Sequence, residues 1–138
     1  MKAFLEPLRE LEELERLETQ LKKEPGVQMI SGCIDPEKPH LIYGIGNGFK
    51  NKIIVTFSEQ KAKELYEEYL FYDPKAVYYP AKDILFYQSD LRGNVLTRER
   101  ILALKTIAEG ERITLITTYD ALMNRMPQPK QFIQAVRT

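Results

Sequence analysis

The chain has one cysteine, one histidine and no net charge in 138 residues. A lone Cys33 excludes an internal disulfide and fits a reducing cytoplasm. Together with His40 it supplies at most two metal ligands, where a structural zinc wants four, so neither a metal nor a bound cofactor is expected. His40 has no Asp/Ser or Asp/Cys pair at a recognisable spacing, which sets aside a catalytic triad. Basic and acidic residues balance at 20 each, and nothing global advertises a nucleic acid or an acidic membrane as partner. No stretch approaches the roughly 20 apolar residues that cross a bilayer. The N-terminus also lacks the basic, apolar and small-residue order of a signal peptide. A cytoplasmic domain with no membrane contact is expected.

What is present suits one ordinary core, with 43% apolar and 29% charged residues. From Phe4 to Lys23, Leu5, Leu8, Leu11, Leu14, Leu17 and Leu21 recur mostly three apart, which predicts one amphipathic helix whose stripe winds around it. Pro7 fits its first turn and Pro25-Gly26 ends it, making residues 1–25 a leading helix and 26–138 the main unit. Val27-Gln28-Met29-Ile30 is a short apolar run in the place of a first strand. His40 to Tyr43 predicts a short helix ending in Gly44, Gly46 and Gly48. The β-branched run from Lys52 to Phe57 is the best strand. Ser58 then caps a helix with Ala62, Leu65, Tyr66, Tyr69 and Leu70 on one face. Further strands are expected at Ala76–Tyr79 and Ile113–Thr117, with a helix from Leu96 to Ala108 between them. Strands separated by helices predict an α/β domain: a mainly parallel sheet in three layers, joined by right-handed crossovers.

In a nucleotide-binding domain of that kind, the chemistry sits in the turn after the first strand. A working phosphate loop needs G-x-x-x-x-G-K-[ST], so that backbone N–H groups cradle phosphates and the hydroxyl holds Mg²⁺. Here the turn runs Met29-Ile30-Ser31-Gly32-Cys33-Ile34-Asp35-Pro36-Glu37-Lys38-Pro39. It keeps one glycine, adds two carboxylates that repel phosphate, and loses two donors to proline. Gly44-Ile45-Gly46-Asn47-Gly48-Phe49-Lys50 precedes a strand instead of following one, and a helix C-cap and turn accounts for it. No Asp-Glu pair closes a buried strand. Ser31, Gly32 and Cys33 are at most a vestigial phosphate loop, and no catalytic activity is expected.

The order of features from Tyr79 to Met126 carries a resemblance. Tyr79-Pro80-Ala81-Lys82-Asp83 leads, a polar loop and amphipathic helix follow, and Thr117-Thr118-Tyr119-Asp120-Ala121-Leu122-Met123 trails. This order resembles the N-terminal, UvrB-like region of the bacterial transcription-repair coupling factors, the Mfd family, and extends over roughly Val27 to Val136. The resemblance implies a RecA-like fold, related to the P-loop NTPases and helicase motors, with a degenerate nucleotide site. It implies a non-catalytic scaffold or interdomain docking role within a multi-domain, ATP-dependent DNA translocase. Such a parent displaces stalled RNA polymerase and recruits nucleotide excision repair. Its partners are other domains of the same protein, RNA polymerase, UvrA and DNA. In that family the UvrA-binding module is inserted after the segment matching Thr117 to Phe132, so it is expected beyond Thr138.

Two further groups of residues compete for a functional reading. Thr56 and Ser58 follow the best strand, and Thr117 and Thr118 end the last one. Helicases grip phosphates at such helix starts, yet Ser58 and Thr118 equally serve as caps. Arg92 and Arg98 are candidate nucleic-acid contacts, but Arg92, Arg98, Arg100, Lys105 and Arg112 are interleaved with Asp90, Glu99, Glu109 and Glu111, as on a solvated, salt-bridged face. The resemblance implies that Glu99-Arg100, a pattern of that family, anchors its helix to the preceding loop. The aromatic run from Tyr66 to Tyr87 could stack bases, but its spacing suits the core, with tyrosine hydroxyls reaching the surface. Cys33 is expected to be buried or inert.

Overall fold

A computed structural model describes residues 4–24, 26–82, 90–110 and 112–124, with backbone alone for 90–96. The elements are α1 (Glu6–Arg9), α2 (Glu12–Lys23), α3 (Lys38–Gly46), β1 (Asn51–Thr56), α4 (Glu59–Tyr69), β2 (Val77–Tyr79), α5 (Asp90–Ala108), β3 (Ile113–Thr118) and α6 (Tyr119–Met123). The strands form a parallel sheet in the order β1-β3-β2. The fold is therefore mixed α/β. Among the described residues, no helix is long and apolar enough to cross a membrane.

The layers follow from alternation along β3. Successive side chains of a strand point to opposite faces. Ile116 packs with Tyr43 of α3, Ala62 and Tyr69 of α4, and Ala76. Its neighbour Leu115 packs with Tyr79, Ala103 of α5 and Ala121. Helices α3 and α4 thus cover one face and α5 the other. All six residues of β3 are buried, as a central parallel strand requires. Its three threonines stay satisfied through side-chain bonds to Asp73, the Tyr79 carbonyl and Glu59.

Strand β1 is covered on one face only. Ile54 stands opposite Ile116 in the register and packs against the α3–α4 cluster. Ile53 stands opposite Leu115, on the side where α5 reaches β2 and β3. There Ile53, Val55 and Phe57 remain 63%, 49% and 83% exposed.

Several expectations change. The leading helix is two helices, because Leu11 takes an extended backbone, with φ −87° and ψ 99°. A leucine repeat of three drifts around a straight helix, and the break resets it, leaving Leu14, Leu17 and Leu21 on one side. Val27–Ile30 is no strand; Val27 and Met29 are 98% and 89% exposed. Helix α5 begins at Asp90, six residues before the expected Leu96. Gly44 and Gly48 do not cap α3 with a left-handed turn. They make room: a Cβ on Gly44 would fall 2.3 Å from Leu8 Cδ1, and one on Gly48 would fall 2.8 Å from Lys22 Cε. The two glycines seat the α1–α2 pair. His40 holds the same pair, with Nε2 2.5 Å from the Phe4 carbonyl and its ring stacked on Tyr72.

Candidate functional site

The C-terminal ends of the three parallel strands meet in one polar cluster. In open α/β sheets, ligands bind outside these ends. The expected residues Thr56, Ser58, Thr117 and Thr118 are all here, because β1 and β3 pair in register through Thr56 and Thr118. Each is already employed. Thr56 Oγ1 donates to the Ser58 carbonyl at 3.0 Å. Ser58 caps α4, accepting from the Lys61 N–H at 3.2 Å. Thr117 Oγ1 donates to the Tyr79 carbonyl at 2.7 Å. Thr118 caps α6, accepting from the Ala121 N–H at 3.1 Å.

The centre of the cluster is Glu59, which sequence reasoning missed. It sits in the first turn of α4, where a carboxylate suits the positive end of the helix dipole. Its Oε1 accepts from Thr118 Oγ1 at 2.5 Å and from the Ala81 N–H at 3.0 Å, and its Oε2 accepts from the Tyr78 hydroxyl. One carboxylate therefore ties the start of α4 to the ends of β2 and β3. Burial, then the hydrogen bond to Glu59, pushes the Tyr78 phenol well above its usual value. Burial raises the Glu99 carboxyl, Lys63 opposes this and Glu59 adds to it. The signal available in the sequence was the Ser58-Glu59 pair after the best strand: a cap followed by an acid.

Arg100 completes the cluster and corrects the expectation of a solvated face. It lies three residues before Ala103, so it points at the sheet, and it is only 7% exposed. Its guanidinium lies 4.1 Å from the Tyr79 ring centroid, donates to the Pro80 carbonyl at 2.5 Å and bonds the Tyr79 hydroxyl. Helix α5 is thereby anchored to the Tyr79-Pro80 segment. Burial lowers the Arg100 pKa, while Tyr79 and Glu59 oppose that shift. Of the remaining cations, Arg98 is exposed, Lys105 pairs with Glu109 at 3.8 Å and Arg112 donates to the Asn47 carbonyl at 2.6 Å. Arg92 lies on α5, and its side chain is outside the described residues, as are Phe86, Tyr87 and Glu111.

Ser31, Gly32 and Cys33 lie far along the chain from this cluster, in a stretch with no regular structure. They line a groove shared with Leu11, Leu14 and His40. Gly32 takes φ +84°, the left-handed region that favours glycine. Cys33 is half-buried, and its thiol contacts the Ile34 carbonyl at 3.5 Å. No strand leads into this segment, so the turn geometry of a phosphate loop is not built here.

A second polar cluster lies at the opposite end of β1. Lys52 Nζ stands 5.9 and 5.7 Å from the Tyr43 and Tyr69 ring centroids. It donates to the Tyr69 hydroxyl at 3.2 Å and faces Asp73 Oδ2 at 3.8 Å. Thr114 Oγ1 donates to the same carboxylate oxygen at 2.7 Å. Burial pulls the Lys52 ammonium below its usual range, with Asp73 opposing and Arg112 adding to the shift. Burial, with Asp73 next, pushes the Tyr69 phenol up to about 12. Tyrosine hydroxyls expected at the surface are spent on internal partners in both clusters.

Among the described residues, no group of three or more histidine, cysteine or acidic side chains is placed to hold a metal ion. Comparison with family models, curated proteins and solved structures finds no match to this chain.

Proposed function

We propose that this chain is a RecA-like domain without catalytic activity, a scaffold on which neighbouring domains of a transcription-repair coupling factor dock. The parent would be an ATP-dependent DNA translocase that displaces stalled RNA polymerase and recruits nucleotide excision repair, with ATP handled by separate motor domains. The identity rests on the resemblance over Tyr79 to Met126. The absence of chemistry rests on one observation: the carboxylate of Glu59 occupies the donors at the strand ends. A phosphate arriving there meets a negative charge where it needs N–H and O–H groups. Against the two alternatives, phosphate contact through strand-end loops would have to displace or face the Glu59 carboxylate, and residual NTPase action at Ser31-Gly32 has no strand leading into its turn. The docking role draws support from the apolar surface that β1 leaves open.

Calorimetry with Mg-ATP tests the first part, and no saturable heat is expected. A micromolar dissociation constant would refute it. Anisotropy with a DNA duplex at two salt concentrations tests the second. Binding is expected at or beyond the weak end of the non-specific range of about 10⁻⁴ to 10⁻⁶ M. Sub-micromolar, steeply salt-dependent binding that is lost on substituting Arg92 and Arg98 by alanine would favour direct nucleic-acid contact instead. The family assignment is tested by a reading frame that carries, past Thr138, a UvrA-binding module and true motor motifs.

A further inference from the structure

We propose that the outer edge of β1 is a strand-docking site for an extended, uncharged segment rich in β-branched residues on a partner polypeptide. The inference rests on the docking role above and names the surface and the chemistry of what it receives. Strand β1 stands at the end of the sheet order, and among the described residues no backbone hydrogen bond reaches its outer side. Exposed edges are normally blunted by charge, proline or a bulge. None of these is found over Asn51–Thr56: the single charge, Lys52, has its side chain only 8% exposed and turned toward Tyr43 and Tyr69.

The surroundings of the edge decide the kind of occupant. On the α3–α4 side, a groove of about 390 Å³ runs beside β1 and is walled by Ile42, Ile54 and Leu65. On the other side lie Ile53, Val55 and Phe57, exposed. A strand laid along β1 would send alternate side chains into the groove and against these three residues, while its backbone meets the free amides and carbonyls. A helix would cover the open face and leave the edge unbonded. Charged partners gain little, because the rim pairs Asp35 with Lys38 at 2.5 Å and Lys61 with Glu64 at 3.0 Å, leaving Glu68 as its one further charge among the described residues. A second copy of β1 fits poorly. Its groove-side residues Lys52, Ile54 and Thr56 are already half-buried under its own helices, so they cannot fill the groove.

The probe is the uncharged heptapeptide Thr-Ile-Thr-Val-Thr-Ile-Thr, blocked at both ends and titrated into the isotope-labelled chain by NMR. Expected are saturable amide shifts over residues 51–57 at millimolar peptide. Binding should weaken by about tenfold or more with Val55→Lys, and by as much with a peptide carrying lysine at alternate positions. Val55 is half-exposed, so its substitution should leave the rest of the spectrum in place. Absence of shifts at β1 would overturn the proposal, as would shifts elsewhere, equal binding of an amphipathic helical peptide, or the same shifts on concentrating the protein alone. Loss of this inference would leave the non-catalytic reading standing, since Mg-ATP and duplex titrations test that separately.

Discussion

The strand ends and the strand edge of this sheet are opposites. At the ends, where α/β domains usually offer donors to a ligand, the hydroxyls of Thr56, Ser58, Thr117 and Thr118 are tied to a helix start, the Tyr79 carbonyl or Glu59. At the β1 edge, Ile53, Val55 and Phe57 face solvent beside a strand side with no backbone partner among the described residues. Polar groups left unpaired cost the fold, so a site without a ligand closes on itself. Apolar surface left open is cheap in one molecule and gains free energy when something covers it. Among the described residues, the strand-end hydroxyls are bonded internally, while the β1 edge keeps apolar surface open.

The sharpest way to break this contrast is Arg100→Met. It leaves the Pro80 carbonyl and Tyr79 hydroxyl, both nearly inaccessible, without their donors and removes a cation from the Tyr79 ring. A loss of about 3 kcal/mol is expected in urea unfolding; a loss within experimental error would mean the strand ends are not locked. Glu59→Ala comes next, at about 2 kcal/mol, because three donors from β2, the segment after it, and β3 lose one acceptor. Sulfate should stabilise this variant more than the parent in thermal melts, since the vacated donors can take an anion; equal responses would show that Glu59 fills no anion seat.

At the edge the expectation reverses. Ile53→Lys, at a residue 63% exposed, should change stability by no more than about 0.5 kcal/mol, and a larger loss would mean that β1 is covered. The smallest effect concerns pH. Burial raises the Glu99 carboxyl in the folded state, so the native chain keeps that proton longer than the unfolded chain does. Its contribution favours folding below the usual glutamate range and falls away as pH rises through the raised value. Taken relative to Glu99→Gln, the parent's denaturation midpoint should fall as pH rises through that window; an unchanged difference would mean that Glu99 does not contribute.

Much of this was legible in the residues, and the exceptions have physical causes. The β-branched runs placed β1 and β3 to within a residue, and Ser58 and Thr118 announced their caps. The parallel sheet followed from the alternation of strands and helices. The Val27–Ile30 strand failed because an apolar run becomes a strand only where a neighbouring edge receives it, and composition does not say which edge does. Arg100 does anchor its helix to the preceding segment, as expected, but its burial was missed for a related reason. Charge spacing along a helix suggested a solvated face, whereas the position three residues before the buried Ala103 fixed its direction. Glu59 escaped notice because its three donors come from separate parts of the chain, brought together only by the β1-β3-β2 order. Single-segment patterns carry no information about such convergence.

That strand order has a consequence for how the chain comes into being. β1 and β2 both pair with β3, the last strand in sequence, and not with each other. Among the described strands no hairpin is available to start the sheet, so loop-closure entropy must be met before these strands pair. As the polypeptide leaves the ribosome, Ile53, Ile54 and Val55 wait unpaired until Ile113–Thr118 has emerged. During that interval the same apolar edge is open to any passing strand, which makes the newly made chain most vulnerable to aggregation before its sixth helix forms.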